Sequence, residues 1–536
     1  VTVASGLDYE HDVGDPAGDP LLVSGGVAAG DFDRDGYTDL YVVRALAGPN
    51  LLFRNQAGSG FAEVGDSAGV AVDGEYGCGP TFADVDGDGW LDLLVGGVAG
   101  TTPRLFRNLG PQPPGGQVEF AEVTAASGIF STLGTISAGF GDFDRDGDLD
   151  LFLSHWSIGP GDPIGAPHLW RNDGSGVFSP TDFSAGIAAV YQNRDWSFAP
   201  TFTDFDDDGW PDLLVSGDFG SSQVFKNRGD GTFAVATTAV ISDENGMGSA
   251  VGDVDNDGDL DWFVSSIWDP DGHAEGNWGI TGNRLYRNTG QWQGTDFGFE
   301  DATDEAGVRQ GYWGWGSCFA DFDNDGWLDL FHVNGFQAPP ADEFFADPAR
   351  LFVNDGDGTF TERAAELGVD DTGQGRGVVC FDYDRDGDLD LFLANNSGPP
   401  RLLRNDGLED RRFLQLRLHG EGGNREAIGA RVTVIAGGLT QTREIRAGSN
   451  YVSQNPAEAH FGLGAAAAVD EVRIRWPEGD ETVLEDVAAD QLLDVDRGGP
   501  ILPPAVEIPA LGSAGKLVLA LLAAGAGWRS VQRRRS

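Results

Sequence analysis

The chain is short of positive charge. Lysine occurs only at Lys226 and Lys516, and Lys+Arg total 34 against 86 Asp+Glu, a formal net charge of −52. So acidic a surface excludes nucleic acid and anionic membrane as partners of the bulk protein. The use of arginine for nearly all positive charge fits a GC-rich bacterial source. Cysteine is also scarce. Cys78, Cys318 and Cys380 form neither a disulfide framework nor a C-x-x-C zinc pattern, and they read as buried free thiols on strands. The seven histidines are scattered, and no nucleophile–base–orienter group can be placed around them.

Aspartate and glycine are abundant, and they come in one phrase, D-x-D-x-D-G-x-x-D. It reads DFDRDGYTD, DVDGDGWLD, DFDRDGDLD, DFDDDGWPD, DVDNDGDLD, DFDNDGWLD and DYDRDGDLD, starting at Asp31, Asp84, Asp142, Asp204, Asp253, Asp321 and Asp382. Alternating carboxylates on a curled loop supply the oxygens that calcium needs, and the glycine at position six allows the sharp turn. The first loop would offer Asp31, Asp33, Asp35, the carbonyl of Tyr37, and Asp39. The equivalent sets are Asp84, Asp86, Asp88, Trp90 and Asp92; Asp142, Asp144, Asp146, Asp148 and Asp150; Asp204, Asp206, Asp208, Trp210 and Asp212. They continue with Asp253, Asp255, Asp257, Asp259 and Asp261; Asp321, Asp323, Asp325, Trp327 and Asp329; Asp382, Asp384, Asp386, Asp388 and Asp390. Position seven varies among Tyr, Trp and Asp, as expected where only a backbone oxygen serves. Without a counter-ion the carboxylates of each loop would repel one another strongly, so up to seven calcium ions are expected. Aspartate closes the loop at position nine and an apolar strand follows, which excludes the helix–loop–helix calcium motif.

The phrases recur every 49 to 68 residues, the mark of a repeat architecture. Each period holds four strand signals: an apolar run into the loop, one out of it, a run of the RLFRN type, and an F-x-E-V-like run after a glycine turn. Seven four-stranded repeats predict an all-β, seven-bladed β-propeller over residues 1–407. The chain opens inside a repeat, since VTVASGL matches VTAASGI at 123–129, and a segment upstream, such as a signal peptide, is expected. Residues 411–495 alternate with period two, as in FLQLRL and VRIRW, and predict a small β-domain. Its Arg425, Arg431, Arg443 and Arg446 face solvent, dock on the acidic propeller or line a separate ligand site. Residues 496–510 are a Pro-rich linker. Residues 511–536 combine an apolar helix with an arginine cluster, which would leave the propeller outside the cell.

The aspartate phrase with L-F-x-N and G-x-F resembles the FG-GAP/VCBS repeats of integrin-type propellers. Seven complete loops bring it closer to the cartilage acidic protein family. RRFLQLRLHG, GNREAIGARVTV, AHFGLG and VRIRWPEG are similar to the ASPIC/UnbV domain that follows such propellers. IPAL at 508–511, the apolar run and the arginines resemble a C-terminal sorting signal of the IPTL type, departing from it at Ala510. The expected protein is bacterial and secreted or held at the cell envelope, with the membrane engaged only through its C-terminal segment.

Blade topology places the aspartate loops on one face and the longest loops on the other. Tyr76, Trp156, Trp196, Trp268, Trp313 and Asn334 fall on that second face, with Trp278, His155 and His332, and are the candidates for an extracellular protein or carbohydrate. The same rings could instead pack between blades. Arg228-Gly229-Asp230 and Gly58-Ser59-Gly60 lie in blade turns and carry no adhesion or nucleophile motif. Three functions remain: a non-catalytic binding or adhesion protein, a calcium-dependent polysaccharide lyase or hydrolase, and a purely structural surface protein. The first is the leading one.

Overall fold

A computed structural model describes residues 2–14, 22–131, 133–156, 166–192, 194–271, 278–291, 298–336, 344–408, 410–448 and 450–498. The predicted C-terminal helix, the IPTL-like signal and nearly all of the linker lie outside these residues. Among the described residues, no helix is long and apolar enough to cross a membrane.

The chain is all-β. Blades one to six are four-stranded antiparallel meanders, beginning with the inner strands Val27–Gly30, Gly77–Ala83, Thr135–Gly141, Ser197–Thr203, Ser249–Gly252 and Gly314–Ala320. Blade seven has three described strands, Gly375–Phe381, Asp390–Asn395 and Arg401–Leu403. Inner strands pack on their neighbours in order, and Gly375–Phe381 packs on Val27–Gly30, so the ring closes. Leu7 and Tyr9 join the core between blades seven and one, and the Leu402 N–H donates to Thr2 Oγ1 at 2.8 Å. Apolar side chains of adjoining blades interlock, as Phe143 and Phe152 of blade three do with Phe202 and Leu213 of blade four.

Two features depart from the sequence reading. After strand four, blades one, two, three, five and six add one helical turn, such as Thr124–Ser127, that ends on a glycine with positive φ, here Gly128 at 79°. The AASGI-type motif encodes that turn: small residues wind it and glycine reverses the backbone. The cysteine expectation is corrected. Cys318 and Cys380 form a disulfide, and only Cys78 is free and buried. The two lie on adjacent inner strands, of blades six and seven, 62 residues and about one repeat apart. Proximity across a blade boundary is invisible to local spacing.

Residues 411–496 form two packed sheets. Arg412–His419 runs between Glu458–Gly464 and Gln491–Asp496. The second sheet runs Leu439–Glu444, Arg431–Ala436, Ala468–Arg475, Glu481–Ala488. Leu414, Val432, Phe461, Val472 and Trp476 are buried between them, in one cluster with Phe140 and Leu151 of blade three. The module sits on the face of the aspartate loops and sends residues 446–448 and 450–456 into the channel. There Val27–Ala28 pair in parallel with Ser453–Gln454. Gln454 accepts from Phe82 N–H at 2.6 Å and donates to Phe82 O at 2.8 Å. Ala447 O accepts from Phe140 N–H, Asn455 Oδ1 from Cys380 N–H, and Arg446 donates to Val251 O. The inner strands of a propeller are sheet edges with unpaired backbone groups, and this segment pairs them. Tyr451 reaches furthest, donating to Val23 O at 2.9 Å beside Trp315 and Phe198.

Candidate metal centres and the opposite face

Within each aspartate loop the nine positions divide the work. The first aspartate holds the turn: Asp31 accepts from Asp35 N–H at 3.0 Å and from Gly36 N–H at 2.9 Å. Gly36 has φ 94°, which glycine alone takes without strain. Position four also has positive φ in all seven loops, at Arg34, Gly87, Arg145, Asp207, Asn256, Asn324 and Arg385. The ninth aspartate is buried. Asp150 accepts from Phe143 N–H at 3.3 Å and Asn172 N–H at 2.9 Å, and the pair of donors recurs in every loop but the fourth, where Asp212 accepts from Asn227 N–H alone.

The aspartate at position three is different. Asp33, Asp144, Asp206, Asp255 and Asp384 each bury an Oδ1 that has no hydrogen-bond partner. A buried acceptor without a donor is costly. In sets such as Asp31–Asp33–Asp39 and Asp253–Asp255–Asp261, one oxygen from each residue lies within 4.8 Å of the others. That is the donor set a hard cation takes. Burial, then the neighbouring carboxylates, holds Asp33 up at about 6, Asp142 at about 7 and Asp382 at about 8, and lifts Asp39 well above the usual range. Oxygen-only ligation, orphaned acceptors and crowded carboxylates fit calcium. In six loops the position-seven side chain turns away to the strand three–four turn. A Cβ on Gly110 would meet the Trp90 ring at 2.9 Å, and one on Gly174 would meet Asp148 at 2.5 Å. In those loops only the backbone of position seven is left to face an ion.

Two partners of the loops escaped the sequence reading although both stood in the RLFRN run. The asparagine stitches the ring. Asn172 Nδ2 donates to Leu149 O of its own loop at 3.0 Å and to Val85 O of the preceding blade at 2.8 Å. Asn55, Asn108, Asn227, Asn288, Asn354 and Asn405 reach Tyr383, Phe32, Phe143, Phe205, Val254 and Phe322 in the same way. In six blades the residue before it is basic and lies on the aspartate at position three. Arg171 pairs with Asp144 and Asp146, both at 2.7 Å, and Arg54, Arg107, Lys226, Arg287 and Arg404 follow suit. In blade six that position is Val353, and Arg411 comes within 4.0 Å of Asp323 and 3.8 Å of Asp325. Repetition was the signal for both, in seven copies for the asparagine and six for the basic residue.

The module arginines dock on the propeller. Arg431 pairs with Asp207 at 3.0 Å, Arg475 with Asp204 at 2.8 Å, and Arg425 donates to Gly87 O at 3.3 Å. Arg443 and Arg446 are half-buried, and desolvation lowers both.

The aromatic candidates of the other face divide. Trp313 stacks on Phe336 at 4.0 Å between centroids and is buried, as are Asn334, His155 and His332. Asn334 Nδ2 donates to Pro348 O, and its Oδ1 accepts from His332 Nδ1 at 2.8 Å within the fold. Tyr76, Trp156, Trp196 and Trp268 are half-buried. Trp156 stacks on Phe198, Trp196 lies against Phe219 and Arg194, and Trp268 lies under Arg309. Exposed Phe219 lies against Trp196, and exposed Leu46 and Ile280 fall on the equivalent strand two–three connections of other blades. The Arg228-Gly229-Asp230 tripeptide lies in a strand three–four turn against Trp210.

Seven stitched aspartate loops under a docked β-module define an FG-GAP-repeat propeller with an ASPIC/UnbV domain. Residues 31–95, 84–153, 204–264 and 342–393 match the FG-GAP-like repeat, and residues 420–500 match ASPIC and UnbV. The chain is homologous to cartilage acidic protein 1. It is 26% identical to the human protein over 522 residues, covering 89% of this chain and 72% of that protein. Human integrin alpha-IIb is 29% identical over 241 residues, 40% of this chain and 22% of the integrin. A solved complex of BBS1N with ARL6DN covers 76% of this chain and 97% of its own at 11% identity and a TM-score of 0.40, too loose a likeness to argue from.

Proposed function

We propose that the protein is a calcium-loaded propeller of the bacterial cell surface or surroundings that binds a protein or carbohydrate partner without catalysis. The observation that carries this reading is the division of its two faces. One face is taken up by aspartate loops with orphaned acceptors and by the module docked on them. The other presents half-buried Tyr76, Trp196 and Trp268 together with exposed Phe219 and Ile280. Aromatic faces with polar edges suit sugar rings or peptide side chains. Any attachment to a membrane would run through residues 511–536.

Glycan arrays and capture of surface proteins, with and without calcium, test the reading. Binding should fall at least tenfold in Trp196→Ala and Trp268→Ala while the calcium-dependent melting curve stays unchanged. The rival, a calcium-dependent polysaccharide lyase or hydrolase, would show as turnover on acidic polysaccharides that a single rim substitution abolishes.

A further inference from the structure

The basic residue on strand three sits on groups that the calcium reading assigns to the metal. Arg171 holds Asp144 and Asp146, at positions three and five of its loop, at 2.7 Å, and both are ligand candidates. A guanidinium there neutralises part of the loop before an ion enters, and it stands a few ångströms from two further positive charges afterwards. Blade six breaks the pattern. Val353 replaces the basic residue, and the cation comes from Arg411, next to the first strand of the C-terminal module. That strand is fixed on the propeller: a Cβ on Gly387 of loop seven would lie 1.9 Å from the Phe413 ring.

Resting on the calcium reading, we propose that the strand-three cation is a counter-charge that sets each loop's calcium affinity, and that Arg411 ties the affinity of loop six to the seating of the C-terminal module. Charge at this range acts in opposite directions on two measurable quantities. Removing it leaves a more negative pocket, which is less stable empty and holds a divalent ion more tightly. An effect of about three- to tenfold in affinity is expected for one unit charge at a partly exposed site. A purely structural role for Arg411 would move both quantities the same way.

The test is a calorimetric calcium titration of the full chain stripped with chelator. Arg411→Ala should tighten one site by about three- to tenfold and lower the melting temperature in EDTA. Val353→Arg should weaken one site and raise that melting temperature, and it answers the question even if Arg411→Ala loosens the module. Both effects should vanish in an Asp323→Asn/Asp325→Asn background, where loop six is silent. Unchanged or weaker calcium binding in Arg411→Ala, or effects that persist in the silenced background, would overturn the proposal. If the wild-type chain takes up no calcium, it is the calcium reading that fails.

Discussion

Arg385 of the seventh aspartate loop forks onto both carboxylate oxygens of Glu458 in the C-terminal module, at 2.6 and 2.7 Å. The same guanidinium donates to Gly36 O of the first loop at 3.0 and 3.1 Å. One side chain therefore joins the last blade, the first blade and the module, and Arg417 adds a second cation on Glu458. Breaking such a buried pair leaves a bare charge, so Glu458→Ala should cost about 3–5 kcal/mol in urea unfolding. A loss under 1 kcal/mol would mean that the ring and module close without it.

Calcium removal should lower the melting temperature sharply. Extracellular calcium modules bind at roughly 10⁻⁴–10⁻³ M. At ~1 mM calcium and the tight end of that range each loop gains ~1.4 kcal/mol, and seven independent loops gain at most ~10 kcal/mol. A melting curve that excess EDTA leaves in place would remove calcium from the account.

In EDTA, stability should peak in mildly acidic solution. The loop aspartates bind protons more readily folded than unfolded, with Asp33 at about 6 and Asp382 at about 8 against 3.8. Their contribution is complete below 3.8 and fades as pH rises through 6 to 8. Glu458 runs the other way. Arg385 and Arg417 outweigh its burial and hold it down at about 2, so its contribution is present above 4.5 and is lost as pH falls towards 2. Calcium should abolish the loss on the alkaline side, which melting curves from pH 4 to pH 8 would show.

Asn108→Ala should destabilise by about 3 kcal/mol. It strands the Phe32 and Leu91 carbonyls and the Gly110 N–H, all buried or half-buried. Chemical denaturation would measure it, and Asn→Asp at the same place should not rescue, because it offers no donor.

Gly26→Ala should unseat the channel segment. Gly26 has φ 124°, and an added Cβ would lie 1.9 Å from Val452 O. At least about 2 kcal/mol should be lost. Enhanced proteolysis between Gly448 and Asn455 would locate the effect.

Blade number, loop positions and the β-module were legible because each repeats or alternates locally. Asp33 and Asp39 could be named as candidate ligands from spacing alone, and the fold brings their oxygens together. What lies between repeats was not legible. The Asn172 amide bridges to Val85, 87 residues away, and only the recurrence of the letter N hinted at it. Residues 450–456 look like an ordinary loop, since many of their partners are backbone atoms of inner strands, such as Phe82 and Cys380, and backbone partners leave no side-chain pattern. Trp313 and Asn334 share a face with Trp196 by topology, but packing against Phe336 and His332 buries them.

Tyr451 and Val23 touch across 428 residues of chain. During synthesis the first blade must wait for nearly the last β-strands before its channel edge is covered. Contacts so remote in sequence are slow to form and leave sticky edges exposed in the meantime. The acidic surface, kept at a net charge of −52 before any ion is bound, then has a second use: mutual repulsion keeps half-made chains apart until the tail arrives.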